Sequence, residues 1–312
     1  MTLSRRAVTD LLEANALRPS RALGQNFVVD PNTVRRIARL AELGAGAKVV
    51  EIGAGLGSLT MALAETGAAV TAVEVDRHLV PLLRDNVEPL GVRVVEADAL
   101  TLSWDELLGA TGDDARGATR SDEHGAARGA VDAAAWSLVA NLPYNVAVPV
   151  LVRVLDEAPA VTRLLVMVQH EVGERLAAQP HSRAYGAVSV KVAYHAQARI
   201  VGRVPASVFV PRPRVESVLV RMDRRSAPAV DPTVVAPERL FAVVRAGFAQ
   251  RRKMLRRALA GVADAAAFAD AGVDPAARAE DLDVAAWGRL AAAATGPAPG
   301  ARAGGADEGE GP

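Results

Sequence analysis

The stretch KVVEIGAGLGSLT, residues 48–60, decides the fold. Lys48–Ile52 is a short apolar run of strand character, the glycines at 53, 55 and 57 interrupt it, and Ser58–Glu65 resumes with helical spacing. A strand that ends in glycines and turns straight into a helix lets the backbone approach a ligand with no Cβ in the way. The spacing is GxGxG, and Ser58 stands where a dinucleotide fingerprint needs its third glycine. That weakens a nicotinamide reading without removing it.

Outward from this stretch the pattern alternates. A helical segment at 31–43 precedes it; Val70–Val75, a helix near 77–88 and the run Val92–Glu96 follow. This βαβαβ order predicts a parallel sheet with ligands at the carboxyl ends of its strands. The next strand, Ser137–Ala140, is delayed by 109–135, a segment rich in Ala, Gly, Asp and Arg that reads as a mobile insertion. Then come a helix near 147–158, a strand at Arg163–Gln169, a helix from 170 to about 178 and a mixed segment around 185–194. The runs Ala198–Val204 and Ser217–Met222 are expected to pair antiparallel.

From Pro237 the pattern is helical, with Phe241, Val244, Phe248, Leu255 and Leu259 on one stripe. The expected organisation is an N-terminal helical extension (1–20), a catalytic α/β domain (21–225), a helical domain (236–294) and a Gly/Pro-rich disordered tail (295–312). The fold class is α/β: a Rossmann-like sheet with helices on both faces, plus a small C-terminal helical domain.

Composition narrows the chemistry. There is no cysteine, and the five histidines show no ligand spacing, so metal catalysis is not expected. No stretch reaches the roughly 20 apolar residues of a membrane span and no signal peptide is evident, so a cytoplasmic protein is expected. The 36 basic and 36 acidic residues cancel, and any nucleic-acid surface has to be local.

Glu74 at the tip of the second strand has acceptor oxygens for two ribose hydroxyls, and Asp98 after the third could accept from an adenine amino group. The plain alternatives are a solvated strand end and a helix N-cap. Successive carboxylates at strand ends, beside Gly53 and Gly55, point to S-adenosylmethionine. Asn141-Leu-Pro-Tyr144 follows the fourth strand and should share that edge. The adenine N6 lone pair is delocalised into the ring. Hydrogen bonds from its N–H groups to the Asn141 oxygen and the Leu142 carbonyl, aimed inward by Pro143, would expose it. Tyr144 offers a stacking face worth roughly 1–3 kcal/mol, and Phe209 could close the other side.

Basic residues gather locally. Arg245, Arg251, Arg252, Lys253, Arg256 and Arg257 fall in one short stretch, and Arg203, Arg212, Arg214, Arg221, Arg224 and Arg225 precede it. Such a run is either a solvated face or a phosphate-binding surface.

Taken in order, LGQNFVVD (23–30), EIGAGLGSLT (51–60), Glu74-Val-Asp76, Asp98-Ala99, NLPYN (141–145), Gln169-x-Glu171, Tyr185-Gly186 with Ser189-Val190, FVPRPRVES (209–217) and FAQRRKML (248–255) resemble the small-subunit ribosomal RNA adenine dimethyltransferases. These are relatives of the macrolide-resistance methyltransferases, and the resemblance covers roughly 18–260. It implies that Gln25, Asn26 and Val28 line the methionine side of the S-adenosylmethionine site, with Gly53, Glu74, Asp98 and Asn141 completing it. It also implies N6-dimethylation of two adjacent adenosines near the 3′ end of 16S rRNA in the assembling small subunit. The same resemblance turns the basic stretch, with Arg212, Arg214, Arg251, Arg252, Lys253 and Arg256, into an RNA surface. No metal and no membrane are expected, and a monomer is. Two features depart from the family: the insertion at 109–135 has no counterpart, and Val28 replaces the usual leucine. Large-subunit rRNA as the target, and a non-catalytic assembly factor on the same fold, stay open as alternatives.

Overall fold

The computed structural model describes residues 2–20, 22–109 and 135–297. Nearly all of the expected insertion, and the tail from 298, lie outside the described residues. In chain order the elements are α1 (Arg5–Ala14), β1 (Phe27–Val28), α2 (Pro31–Leu40), β2 (Lys48–Ile52), α3 (Ser58–Ala64), β3 (Ala69–Glu74), α4 (Val80–Val87), β4 (Arg93–Glu96) and α5 (Trp104–Gly109). They continue with β5 (Trp136–Asn141), α6 (Ala147–Glu157), β6 (Val161–Gln169), α7 (His170–Leu176), α8 (Ala187–His195), β7 (Ala196–Val204), β8 (Phe209–Val210) and β9 (Ser217–Arg224). The last helices are α9 (Pro237–Ala249), α10 (Leu255–Ala258), α11 (Ala265–Ala271) and α12 (Val284–Ala293).

Among the described residues seven strands form one sheet in the order β4-β3-β2-β5-β6-β9-β7. The β2–β6 strands run parallel, and β9 pairs antiparallel with both β6 and β7. The expected antiparallel pair is therefore present, with Ala198 opposite Met222 and Val204 opposite Ser217. Val49, Val50, Leu138, Val139, Leu164 and Val166 are buried, as central strands covered by helices on both faces require. The connection reverses direction beside β2, which has β3 on one side and β5 on the other. In open α/β sheets the crevice beyond the carboxyl ends at such a reversal is where ligands bind.

Local signals set the helix starts. Asp30 caps α2, its carboxylate accepting from the backbone N–H of Asn32 and Thr33, with Pro31 in the first turn. Helix α1 starts at Ser4, whose hydroxyl accepts from Ala7 N–H. It buries Val8 and Leu12 in a cluster with Phe27, Val29, Leu56 and Leu79, so the N-terminal segment is part of the sheet unit's packing.

The described residues form two compact units, one within 1–177 and 196–225, the other within 178–195 and 226–297. The single block expected over 21–225 is thus interrupted. Residues 178–195, read as a mixed segment, carry α8 and pack with the helical unit, where Tyr185, Val190 and Tyr194 join Leu240, Phe241, Val244 and Trp287 in one core. Tyr194 meets Phe241 edge-on at 5.2 Å, and Tyr185 donates to the Leu282 carbonyl at 3.0 Å. The expected single stripe through Leu259 is broken. Helix α9 stops at Ala249, and Leu255 belongs to α10 after a turn. Among the described residues no helix is long and apolar enough to cross a membrane.

Candidate active site

At the reversal point, a cleft is lined by Leu23–Val28, by Glu51, Gly53–Leu56, Ser58 and Leu59, by Glu74 and Val75, and by Asn141–Tyr144. Three of these stretches meet there because β2, β3 and β5 are neighbours and all end at the same edge; the fourth, Leu23–Val28, is tied to the 141–145 loop by side-chain hydrogen bonds. Gln25, Asn26, Val28, Gly53, Gly55, Glu74, Asn141, Leu142, Pro143 and Tyr144 are therefore brought together, as expected.

The glycine turn is needed for both conformation and space. Gly55 has φ +59°, and a Cβ on it would lie 3.0 Å from the Phe27 ring. Its N–H donates to Glu74 Oε2 at 2.7 Å. The other oxygen, Oε1, accepts from Val75 N–H at 3.0 Å and Asp76 N–H at 2.9 Å. Glu74 is 5% exposed, far from the solvated strand end of the plain alternative. Burial pushes its carboxyl upward, while the backbone donors of Asp76, Gly55 and Val75 pull the other way. A carboxylate offers about four acceptor positions, so the backbone already fills most of them and room for two ribose hydroxyls is reduced to about one.

Two amides tie the N-terminal segment to the 141–145 loop. Asn141 Nδ2 donates to the Asn26 carbonyl at 2.9 Å, and Asn145 Nδ2 donates to the Ala22 carbonyl at 3.1 Å. Gly24 lies between these contacts with φ +65°, and a Cβ there would come within 3.2 Å of Pro143 Cβ. Gln25 is also held at both ends, accepting from Ser20 N–H at 2.7 Å and donating to Asp76 at 2.8 Å. With its Nδ2 engaged, Asn141 keeps Oδ1 as the acceptor of its amide. The Tyr144 hydroxyl lies 2.8 Å from that of Ser217, which is fully buried on β9; this fixes the ring, and burial raises the Tyr144 phenol.

One expectation needs correction, and two further residues have local contacts that compete with the expected role. Phe209 is 0% exposed, paired in register with Val28 and packed in the core, so its ring offers no open stacking face. Phe27 is the second aromatic ring of the cleft instead. Asp98 is exposed and outside the lining, and its Oδ1 accepts from Leu100 N–H at 2.8 Å in a local turn, close to the plain alternative. Arg251 is committed within the helical unit, to Glu280 at 2.7 Å and to the Arg183 carbonyl at 2.8 Å. Arg212 and Arg214 are exposed in the loop before β9, while Arg252 and Lys253 are exposed in the turn before α10 and Arg256 on that helix. Of the other arginines in the basic run, Arg221 pairs with Glu42 and Asp223. Arg224 donates to the carbonyls of Val154, Leu155, Ala158 and Val161, which makes it a structural clamp.

Sequence reading also missed lining residues. Val75, 46% exposed, puts an apolar surface beside Glu74. Glu51 lies inside the glycine motif itself, yet nothing in the motif announces its environment. It is 2% exposed, its Oε2 has no hydrogen-bond partner among the described residues, and burial pushes it up to about 8. The Thr60 hydroxyl is near enough to lower it slightly but makes no hydrogen bond of normal geometry.

A family model described as ribosomal RNA adenine dimethylase matches residues 17–295. The chain is 48% identical to ribosomal RNA small subunit methyltransferase A of Kineococcus radiotolerans, over 97% of this chain and 94% of the relative. It is 46% identical to the protein of the same name from Thermobifida fusca, over 88% and 90%. The crystal structure of the 23S rRNA methyltransferase ErmE superposes with a TM-score of 0.59 at 25% identity, covering 86% of this chain and 98% of that one.

Proposed function

Because the chain belongs to the ribosomal RNA adenine dimethylase family, we propose that it N6-dimethylates two adjacent adenosines near the 3′ end of 16S rRNA in the assembling small subunit, with S-adenosylmethionine as donor. The observation that carries this reading is the meeting, in one cleft, of the glycine turn with its two glutamates and the Asn141–Tyr144 loop.

The residues present fit the donor. Among the described residues the cleft lining contains Glu51 and Glu74 and neither Lys, Arg nor His, which suits a cationic ligand and disfavours the pyrophosphate of a nicotinamide dinucleotide. When bound, the donor supplies a methyl group on a positively charged sulfonium. Gly53 and Gly55 give the ligand backbone-close access, Glu74 accepts a ribose hydroxyl, and the exposed side chain of Val75 covers a flat base. Gln25, Asn26 and Val28 line the methionine side.

On the acceptor side, Asn141 Oδ1 and the Leu142 carbonyl take the two N–H groups of adenine N6. This draws the nitrogen toward tetrahedral geometry and frees its lone pair. Tyr144, anchored by Ser217, holds the extruded base by stacking. The methylated amine loses its proton to water, so rate comes from alignment rather than from a base. Arg212, Arg214, Arg252, Lys253 and Arg256 are the exposed phosphate contacts of this reading. The names of the 48% and 46% identical relatives favour the small subunit over the large.

The test is transfer of a tritium-labelled methyl group to small subunits lacking the modification, followed by nucleoside mass spectrometry. Label in N6,N6-dimethyladenosine supports the proposal. Label in another nucleoside, or acceptance by large subunits alone, refutes it.

A further inference from the structure

Glu51 stands between Ala72 of β3 and Val139 of β5 in the middle of the sheet. Neither neighbour can answer a charge. The polar groups facing it are the Thr60 hydroxyl from α3 and the Glu74 carboxyl from β3; the first is neutral and the second opposes a second negative charge. Glu51 Oε2 makes no hydrogen bond although the residue lines the cleft and is 2% exposed. An ionised carboxylate buried with no cation beside it and a single hydroxyl nearby is strongly disfavoured, so by itself the cleft holds Glu51 as the neutral acid. A group left unsatisfied at the wall of a ligand cleft calls for a partner, and a cationic ligand can supply one.

We infer that the cleft takes up its cationic donor in exchange for a proton released from Glu51, whose carboxylate then balances the ligand's positive charge. This rests on the reading of the cleft as the S-adenosylmethionine site. The step is a simple ionisation. The O–H bond of the Glu51 carboxyl breaks, the proton passes to solvent, the electron pair stays on the carboxylate, and nothing is oxidised or reduced. The cation is either the ammonium or the sulfonium of the donor, two sources of one chemistry. A group near 8 is protonated at pH 7 and ionises readily once a cation is adjacent.

Isothermal titration of the intact chain near pH 7, in two buffers of different ionisation enthalpy, reads proton release directly. With S-adenosylmethionine the expected release is close to one proton per ligand bound, and between about pH 6 and pH 7 the affinity rises roughly tenfold. In Glu51→Gln the release is lost and the affinity no longer follows pH. S-Adenosylhomocysteine, which keeps the ammonium and lacks the sulfonium, releases the proton if the ammonium is the partner and does not if the sulfonium is. Donor binding without proton release overturns the inference and leaves the donor site standing, as does equal release by Glu51→Gln. Failure of the folded wild type to bind either ligand overturns the donor site itself.

Discussion

Glu51 and Tyr144 are both displaced from ordinary behaviour by burial, with different consequences. For Glu51 the folded state keeps a proton that the unfolded chain gives up above its ordinary value of 4.5. The folded protein therefore loses stability as pH rises from about 4.5 toward about 8, where Glu51 itself ionises. Glu51→Gln removes the effect. The ligand-free variant is expected to be more stable than wild type by a few kcal/mol at neutral pH, and the gain should vanish near pH 4.5. Thermal denaturation across that range checks the sign, and a variant less stable at neutral pH refutes it. Asn141→Ala and Tyr144→Ala are expected to lower turnover by two or more orders of magnitude with the fold intact, because each acts on the reacting amine or the base that carries it. Near-normal single-turnover rates in a folded variant would place the acceptor pocket elsewhere.

At this scale the sequence announced Gly53, Gly55, Glu74, Asn141 and Tyr144 through residue type and position at strand ends. It could not announce Phe209, whose burial depends on pairing with Val28 far away in the chain. Nor could it separate Arg251 from Arg252, since Glu280, the partner that takes Arg251, lies 29 positions on. Glu51 was visible as a letter in a motif; the absence of a cation beside it among the described residues is a property of the folded cleft.

Among the elements, the clamp between residues 22–26 and the loop 141–145 links donor side to acceptor side. Asn145→Ala removes the bond to the Ala22 carbonyl while leaving Asn141 in place. Its expected effect is a several-fold loss of donor affinity with little change in thermal stability, since one exposed hydrogen bond contributes about 1 kcal/mol. Calorimetric titration of the variant reads it, and unchanged affinity would show that the segment holds itself in place. The turn before α10 carries a separate expectation. Reversing charge at Arg252 and Lys253 should weaken binding to small subunits and flatten its salt dependence while donor affinity is unaffected. Equal loss of both affinities would indicate misfolding. Periodicity located nearly every strand of the sheet and the β7–β9 pair. It misjudged 185–194, because Tyr185, Val190 and Tyr194 face a core built mostly from residues after 234. It also ran α9 into α10, because buried leucines keep helical spacing across the turn that ends the helix.

For the whole molecule, the sheet order is the decisive feature. Placing β2 between β3 and β5 brings the glycine turn, Glu74 and Asn141–Tyr144 to one edge, although they are scattered over 92 residues of sequence from Gly53 to Tyr144. The α/β alternation made that edge predictable; the order of strands after the long segment at 109–135 was not, because β5 returns to the middle of the sheet rather than extending it. Everything proposed about catalysis depends on the donor's sulfur lying in this cleft and facing the loop. A crystal structure of the protein with S-adenosylhomocysteine tests this directly. The account predicts the ribose at Glu74, the ammonium or sulfur side over Glu51, and the sulfur directed at Asn141 and Tyr144. A ligand bound in another place, or with its sulfur turned away from residues 141–144, would contradict it.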